Sequence, residues 1–270
     1  MKTKTRPANA RTRGKITTAL AQLQRAELVR QISEHDADYS FKHTLVQDTV
    51  NASLLKNDLK RLHRLIGETL ERTYPERLDE NAVRLAQHFW AAGEDAKCYG
   101  YSFRAGEIAM GVHALDEALE HFTRALTLAS RANVSPEAAY LKRGRVLELL
   151  GRFEDAAAHY RAMHAAGVAQ DNRALALAAL SAKATIHAIP SVLHDAARAK
   201  QLSAEALALA RALDNPAAEA KILWNLMLVG TRVDTAYREG IAFGEQSLAI
   251  ARAHDLREQI AYDLKDLAPL

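Results

Sequence analysis

A motif rich in alanine and leucine occurs three times along this sequence. Its copies cover residues 116–131, 204–214 and 245–255. The last two copies align at a shift of 41 residues, which places Asp214 on Asp255. Internal similarity at a period of about 20–50 residues is typical of repeat arrays. The sequence therefore predicts stacked repeats, an architecture that provides an extended binding surface.

The amino-acid composition favours helices as the repeated elements. Of the 270 residues 49% are hydrophobic but only 6% are aromatic, and alanine is abundant. Alanine has the highest helix propensity and lets neighbouring helices approach closely. The 12 glycines and 6 prolines are too few for the many turns of a β-sandwich or barrel. We therefore expect an all-α fold.

Positive charge is concentrated at the N-terminus. Residues 1–15 contain six lysines and arginines and no acidic residue, while the whole chain has 36 basic and 33 acidic residues. The net charge of +3 thus becomes −3 for the rest, where 30 basic residues face 33 acidic ones. We predict that residues 1–15 are a basic disordered arm, with nucleic-acid contact as the alternative.

Cysteine usage and hydropathy indicate the compartment. Cys98 is the only cysteine, so the chain can form neither an internal disulfide nor a cysteine-based metal cage. No apolar run approaches the ~20 residues that a membrane-spanning helix needs, and the N-terminus has no signal-peptide core. We expect a cytoplasmic protein without membrane contact.

The segment that follows the arm has the pattern of several short elements. Apolar spacing predicts one or two helices within residues 16–34. His35–Asp38 form a polar break, and Tyr39–Phe41 then alternate like a brief strand. We expect this segment to lead into a further group of helices.

Three more helices are predicted before the repeats begin. One covers residues 43–55, and the next starts at Asn57 and stops at Pro75, because the residue before a proline disfavours helical geometry. Asp79 is expected to cap the third helix, which ends near Gly93. Residues 16–93 together form one predicted connector.

Residues 94–270 divide into four predicted helix pairs and a partial fifth. Each helix is recognised from apolar residues at helical spacing, and turns separate the helices. The predicted helices cover 95–110 and 116–131, 136–150 and 154–166, 171–188 and 196–213, 215–230 and 236–254, and finally 256–267. The last helix leaves an apolar face uncovered. We expect that the chain continues there, forms an oligomer, or is capped by another element.

The second helix pair carries the residues of a tetratricopeptide repeat, namely Tyr140, Gly144, Leu147, Gly151, Phe153, Ala156 and Tyr160. The units resemble the variant found in large bacterial signalling proteins and in regulators of the maltose-activator type. This resemblance implies a right-handed α-α superhelix in which small residues let helix A of each pair lie against helix B. The spacing of about 38–43 residues exceeds the standard 34, which implies longer loops or helices.

A second resemblance is carried by Tyr39–Val50, Ser53–Leu55, Arg61–His63 and Leu70–Glu71. These segments look like the winged-helix-like connector that joins a P-loop ATPase module to repeats in bacterial multidomain ATPases. Some of those proteins are linked to adenylate or guanylate cyclases. The resemblance implies a signal-transduction regulator, with an upstream ATPase domain as a possible partner.

The nucleotide site of such ATPases is missing from this sequence. A phosphate-binding loop requires Gly-x-x-x-x-Gly-Lys-Ser/Thr, since backbone amides and the lysine hold the phosphates. Here Ile16 follows Gly14 and Lys15, and Asn9 occupies the first glycine position. We predict that this chain alone binds no nucleotide and no other cofactor.

The sequence also lacks a metal-ligand or catalytic pattern. Of the eleven histidines, His113 with Glu117 and His159 with His164 are the closest pairs, and neither reproduces His-Glu-x-x-His. A spacing of five places His159 and His164 on different helix faces. No paired carboxylates and no Ser, His and Asp arrangement stand out. We predict no metal site, no catalytic residue and no enzymatic activity.

The remaining candidate site is the concave groove that the resemblance implies, formed mainly by the A helices. Matching the repeat pattern places six side chains there, with apolar anchors and charges that suit a peptide or helix. They are Phe103, Glu107, Leu141, Arg145, Glu148 and Asn225. The alternative is that some of them pack against neighbouring repeats.

The expected function is therefore a non-enzymatic scaffold or regulatory module that holds a protein or peptide partner in the groove. The main alternative is a transcription regulator whose repeats sense an effector while the N-terminal segment contacts DNA. The side chains available to read base edges are Gln22, Gln24, Arg25, Arg30 and Gln31. A salt-dependent shift of duplex DNA that disappears on deletion of residues 1–15 would support this alternative.

Overall fold

The computed structural model describes residues 10–32, 39–232 and 236–268, with the backbone alone for residues 10–14. Within these ranges the chain is 78% helical, and thirteen α-helices pack in consecutive pairs. A small β-hairpin is also present. The chain divides into two compact units, Met1–Ile66 and Gly67–Leu270.

The first unit begins with helix α1, Ala10–Arg25, followed by strands β1, Val29–Gln31, and β2, Tyr39–Phe41. The two strands pair antiparallel with Val29 opposite Phe41. The prediction of a strand at Tyr39–Phe41 is confirmed. The prediction of helix through residues 16–34 is wrong at β1. Helix α1 ends near Glu27, which has a φ of 58°, and the backbone of β1 then bonds to a strand ten residues further along the chain.

Two helices complete this part of the chain, α2, Thr44–Ser53, and α3, Lys56–Thr73. Helix α2 contains no buried residue. Within the first unit large apolar side chains of this region are exposed, namely Leu45, Val50, Leu55, Leu62, Leu65 and Ile66. The predicted basic arm covers residues 1–15; residues 10–15 belong to α1, and residues 1–9 lie outside the described part, as do the predicted polar-break residues His35–Asp38.

The second unit contains the end of α3, a 3-10 turn at Pro75–Arg77 and ten further helices among the described residues. They are α4, Ala82–Ala92; α5, Asp95–Gly111; α6, Leu115–Leu128; α7, Glu137–Leu149; α8, Phe153–Ala169; α9, Arg173–Ala188; α10, Ala196–Ala212; α11, Pro216–Gly230; α12, Tyr237–Ala253; and α13, Arg257–Leu267. The nine helices predicted within residues 94–270 are all present. Their arrangement in consecutive pairs is confirmed, and their superhelical curvature stays a prediction.

The predicted C-terminus of α4 is confirmed, and its predicted N-cap residue is wrong. Helix α3 stops before Pro75, and Gly93 ends α4 in the left-handed conformation, with a φ of 77°. The predicted cap Asp79 does not cap α4, because the N-cap residue is Asn81. The Asp79 carboxylate instead accepts a hydrogen bond from the Arg104 guanidinium of α5.

Close contacts between a glycine and an aromatic ring join three successive helix pairs. A Cβ atom added to the glycine would collide with the ring in each of the pairs Gly67 and Phe89, Gly106 and Phe122, and Gly144 and Tyr160. The first contact joins α3 to α4, which the sequence analysis assigns to the connector, residues 16–93. The second unit begins at this same Gly67, so this contact lies in the same compact unit as the two that follow it.

The core of the second unit lies between consecutive helices. Its largest fully buried side chains are Leu85, Phe89, Phe122, Leu128, Leu147, Met163, Leu175, Leu177, Ile186, Leu202, Ile222 and Leu223. Buried alanines accompany them on every helix from α4 to α12, which lets the helix axes approach closely. None of the helices in the described residues is both long and apolar enough to span a membrane.

Candidate functional site

The first two predicted groove residues lie on α5. Phe103 is half-buried, and its ring meets that of Phe122 edge-on at 5.4 Å between centroids. Glu107 is exposed and forms an ion pair with Lys142 of α7 at 3.0 Å. Phe103 thus packs between helices, as the alternative interpretation expects, whereas Glu107 lies at the surface.

Leu141 and Asn225 lie at less accessible positions. Leu141 is half-buried against the core that contains Leu147 and Tyr160. Asn225 is fully buried, and neither Oδ1 nor Nδ2 has a hydrogen-bond partner among the described residues. The prediction that Asn225 lines an open groove therefore differs from the structure, in which a partner can reach it only if α11 rearranges locally.

Arg145 and Glu148 form a fixed pair on α7. They lie one helical turn apart, which brings their side chains to the same face, and Arg145 Nη1 donates to Glu148 Oε2 at 2.8 Å. The Glu148 side chain is only 7% exposed, and Glu148 Oε1 accepts a bond from the Tyr160 hydroxyl at 2.9 Å. Burial, followed by the Glu148 charge, raises the pKa of Tyr160. The carboxylate is therefore held in place by two donors.

Lys221 of α11 lies against two aromatic rings that also contact each other, with 5.5 Å between their centroids. Its ammonium nitrogen lies 4.1 Å from the centroid of Trp224 and 4.9 Å from that of Tyr262 on α13. The rings are fixed in turn, since Trp224 Nε1 donates to Asp266 at 2.9 Å and the Tyr262 hydroxyl donates to a carboxylate one turn earlier on α13. No hydrogen bond or ion pair joins the ammonium to any described residue.

Electrostatic coupling connects Lys221 with the pair on α7. Burial lowers the pKa of Lys221, the charges of Glu148, Glu258 and Asp263 raise it, and the Arg145 charge lowers it. Arg145 in turn acts on the pKa of Tyr262, lowering it, although burial raises that pKa overall. We therefore treat Arg145, Glu148, Lys221, Trp224 and Tyr262 as one site, the α7–α11–α13 site.

Sequence reasoning named two members of this site as groove residues, Arg145 and Glu148, and missed Lys221, Trp224 and Tyr262. The repeat offered a signal for two of them, because the 41-residue shift places Lys221 on Tyr262. Equivalent positions in adjacent repeats lie next to each other. A lysine three residues before Trp224 also places a cation and an aromatic ring on one helix face.

The chemistry of this site suits recognition of an anionic group beside apolar contacts. A lysine ammonium supplies three donors, and the exposed Arg145 guanidinium has further N–H groups beyond the one that Glu148 accepts. Within residues 10–32, 39–232 and 236–268 no group of three His, Cys, Asp or Glu is placed to hold a metal ion. No protein-family model matches the chain, and no curated protein matches it.

Proposed function

We propose that this protein is a non-enzymatic interaction module of tetratricopeptide type, which binds an acidic segment of a protein or peptide partner at the α7–α11–α13 site. The observation that carries the proposal is the Lys221 ammonium, which lies against two aromatic rings and forms no ion pair with a carboxylate among the described residues. In this proposal the A helices line the concave side of a superhelix, and α7, α11 and α13 are three of them.

The energetics of a half-buried cation support an anionic partner. Removing an ammonium group from water is unfavourable unless the group is paired, and burial accordingly lowers the pKa of Lys221. Contacts to two aromatic faces compensate by about 0.5–2 kcal/mol. A carboxylate from a partner would complete the compensation, and charge-assisted bonds of this kind are the strong ones in proteins.

The neighbouring side chains supply the other features of a binding site. Tyr262 offers partly exposed aromatic surface, while the buried Trp224 supports the Lys221 ammonium from below. Tyrosine and arginine are among the residues that most often dominate binding energy at interfaces. Glu148 holds Arg145 in one orientation, so the guanidinium is positioned before a partner arrives. Such preorganisation reduces the entropy that binding costs.

The wider role rests on the resemblance of residues 39–71 to a connector. We propose that the module belongs to, or derives from, a signal-transduction ATPase regulator, in which it holds a partner or another domain of the same assembly. The first residues quoted for that resemblance, Tyr39–Phe41, form strand β2 of the hairpin, where Arg30 Nε donates to Ser40 Oγ at 3.3 Å.

A peptide screen tests the proposal. Wild-type protein is incubated with an array of random peptides, and the strongest acidic binder is then titrated while tryptophan fluorescence is recorded. The substitution Trp90→Phe removes the other of the two tryptophans, so that Trp224 alone reports binding. We expect enrichment of Asp and Glu among the bound peptides and a change in Trp224 emission.

Two lysine variants provide the comparison. Lys221→Met keeps the apolar part of the side chain and removes the charge, and Lys200→Met removes an exposed charge from α10. We expect about tenfold weaker binding of the acidic peptide to Lys221→Met, or ~1.4 kcal/mol, and unchanged binding to Lys200→Met. Equal affinity of both variants, or no preference for acidic peptides, would exclude the proposed site.

A further inference from the structure

A surface cavity of about 170 Å³ opens between α8, α9 and α10. It shares no residue with the α7–α11–α13 site. Its walls are formed by Ala157, Arg161, Lys183, Ile186, His187 and Arg198. A water molecule needs only about 10–15 Å³ of such space, so the cavity can accept a group the size of an oxyanion.

The cavity wall carries an excess of positive charge. Arg161, Lys183 and Arg198 come from three different helices, and none of them forms an ion pair with a carboxylate in the described part of the chain. Burial lowers the pKa of Lys183, and the charges of Arg198 and Arg161 lower it further, while the Glu205 charge raises it. Three cations therefore line the cavity, and the Glu205 charge opposes that of Lys183.

The position of Arg198 adds to this potential. It lies in the first turn of α10, where the helix dipole is already positive and a cation is unfavourable. Asp195 caps this helix, but its Oδ1 atom accepts from the Arg198 backbone N–H, while the guanidinium donates to Gln201 Oε1 at 2.8 Å. The guanidinium thus remains without a carboxylate among the described residues.

The wall is held in shape by bonds at the end of α9. His187 Nδ1 lies 2.8 Å from the Leu193 carbonyl oxygen and donates to it, because a carbonyl can only accept. Ser191 ties the intervening loop to the helix, since its hydroxyl donates to the Ile186 carbonyl at 3.3 Å and accepts from the Leu193 N–H at 3.2 Å. The ring of His187 and the backbone beside it are therefore fixed.

We propose that this cavity binds a phosphate group, either free or as a monoester of a small molecule. Two guanidinium groups and one ammonium are the side chains best suited to phosphate oxygens, because arginine bonds to them in a bidentate manner and lysine supplies a point charge. The partly exposed Ala157 provides an apolar part of the wall, which can contact the organic part of a monoester. Three cations in one cavity wall, none of them in an ion pair among the described residues, break local rules of stability, as functional sites often do.

Thermal unfolding tests this proposal. Wild-type protein is heated with inorganic phosphate, with phenyl phosphate, and with sodium chloride at the same ionic strength. A ligand of the native state stabilises it by mass action. We therefore expect a higher melting temperature with either phosphate than with sodium chloride at the same ionic strength. A larger shift with phenyl phosphate identifies a monoester as the ligand class, and equal shifts identify the free ion.

Variants locate the effect. We expect Lys183→Met and Arg161→Gln each to lose most of the phosphate-dependent shift, and Lys200→Gln, an exposed charge on α10 outside the cavity, to retain it. Arg161 is exposed, so its substitution keeps the test meaningful if Lys183→Met unfolds. The proposal is overturned if chloride acts as phosphate does, or if Arg161→Gln and Lys200→Gln respond alike.

Discussion

A Cβ atom at Gly106 would lie 2.8 Å from the ring of Phe122. Helix α5 therefore approaches α6 as closely as it does only because position 106 has no side chain. The same relationship joins Gly67 to Phe89 in the preceding helix pair. Real Cβ atoms do not come this close to a ring, so a methyl group at either position has to displace buried aromatic atoms.

Gly106→Ala tests the importance of this contact for stability. We expect it to lower the free energy of unfolding by about 1–3 kcal/mol, the usual cost of inserting a methyl group into a packed core. Gly100→Ala on the same helix is the matched control, because nothing lies within 4 Å of its added Cβ. The free energy of unfolding of this control should rise by about 0.5–1 kcal/mol, because alanine has a higher helix propensity than glycine. Urea unfolding followed by circular dichroism measures both, and equal changes would contradict the interpretation.

His159 is expected to make stability depend on pH. Arg143 Nη1 donates to His159 Nδ1 at 2.8 Å, so the neutral ring uses Nε2–H to donate to the Tyr140 carbonyl at 2.9 Å. Burial lowers the pKa of His159, the bond to Tyr140 raises it, and the Arg143 charge lowers it again, with a net decrease. Protonation of Nδ1 would remove the acceptor of the Arg143 hydrogen bond and place two positive charges side by side.

The sign follows from this lowered pKa. The unfolded chain takes up a proton near pH 6.5, and the folded chain resists it, so the free energy of unfolding falls as the pH drops below that value. One such group contributes at most ~1.4 kcal/mol per pH unit. We expect His159→Gln to show a shallower loss between pH 7 and pH 5, as measured by urea unfolding. A remaining slope is expected from His121 and His164, whose pKa values are also lowered, mainly by burial. Identical pH profiles of wild type and variant would refute a role for His159.

Asp263 predicts a pH effect of opposite sign. It is fully buried beside Ser247 Oγ, which lies 2.8 Å from the Ala220 carbonyl and 2.9 Å from each Asp263 oxygen. A hydroxyl has one proton, so Ser247 can donate to Ala220 and at the same time bond to Asp263 only if Asp263 donates. Burial indeed raises the pKa of Asp263, although Gln259 and Ser247 lower it.

Asp263→Asn imitates the protonated carboxyl group at every pH. With a raised native pKa, the free energy of unfolding of wild type falls as the pH rises from about 4 through that pKa. We therefore expect the variant to become more stable than wild type as the pH increases towards 8. Ser247→Ala should instead destabilise by about 1–3 kcal/mol, because it leaves buried groups unpaired. A variant that loses stability relative to wild type with rising pH would disprove the argument.

Cys98 is expected to report opening of the native state. The thiol is fully buried and donates to the Ala86 carbonyl at 3.3 Å, and burial raises its pKa. Since the thiolate is the reactive form, iodoacetamide should modify the native protein far more slowly than the urea-unfolded protein. Mass spectrometry of timed samples measures this difference. Rapid modification of native protein would show that α4 and α5 separate frequently.

Local sequence signals were sufficient for the helices but not for the contacts between distant residues. The helices from Asp95 to Leu267 follow from apolar spacing and turn residues, which are local properties. Strand β1 was missed because its hydrogen-bond partners belong to another segment. Asp79 was misjudged for a similar reason, since its partner Arg104 lies 25 residues away.

The candidate site shows the same division. Arg145 and Glu148 are neighbours on one helix, and the repeat pattern placed them together. The contact of Lys221 with Tyr262 spans one whole repeat, so spacing within a helix does not reveal it. In the sequence only the 41-residue shift relates these two positions. That they are in contact follows from the packing of α11 on α13, which the structure shows.

The helix pairs α5–α6 and α7–α8 are held together by the same contact between a glycine and an aromatic ring. Gly106 and Gly144 are 38 positions apart, and each pairs with the ring sixteen positions later, at Phe122 and Tyr160. A second copy of residues 106–143 inserted before Gly144 would keep every glycine opposite its own ring. Such a protein can therefore be lengthened by duplicating one 38-residue segment, either through genetic recombination or by protein engineering.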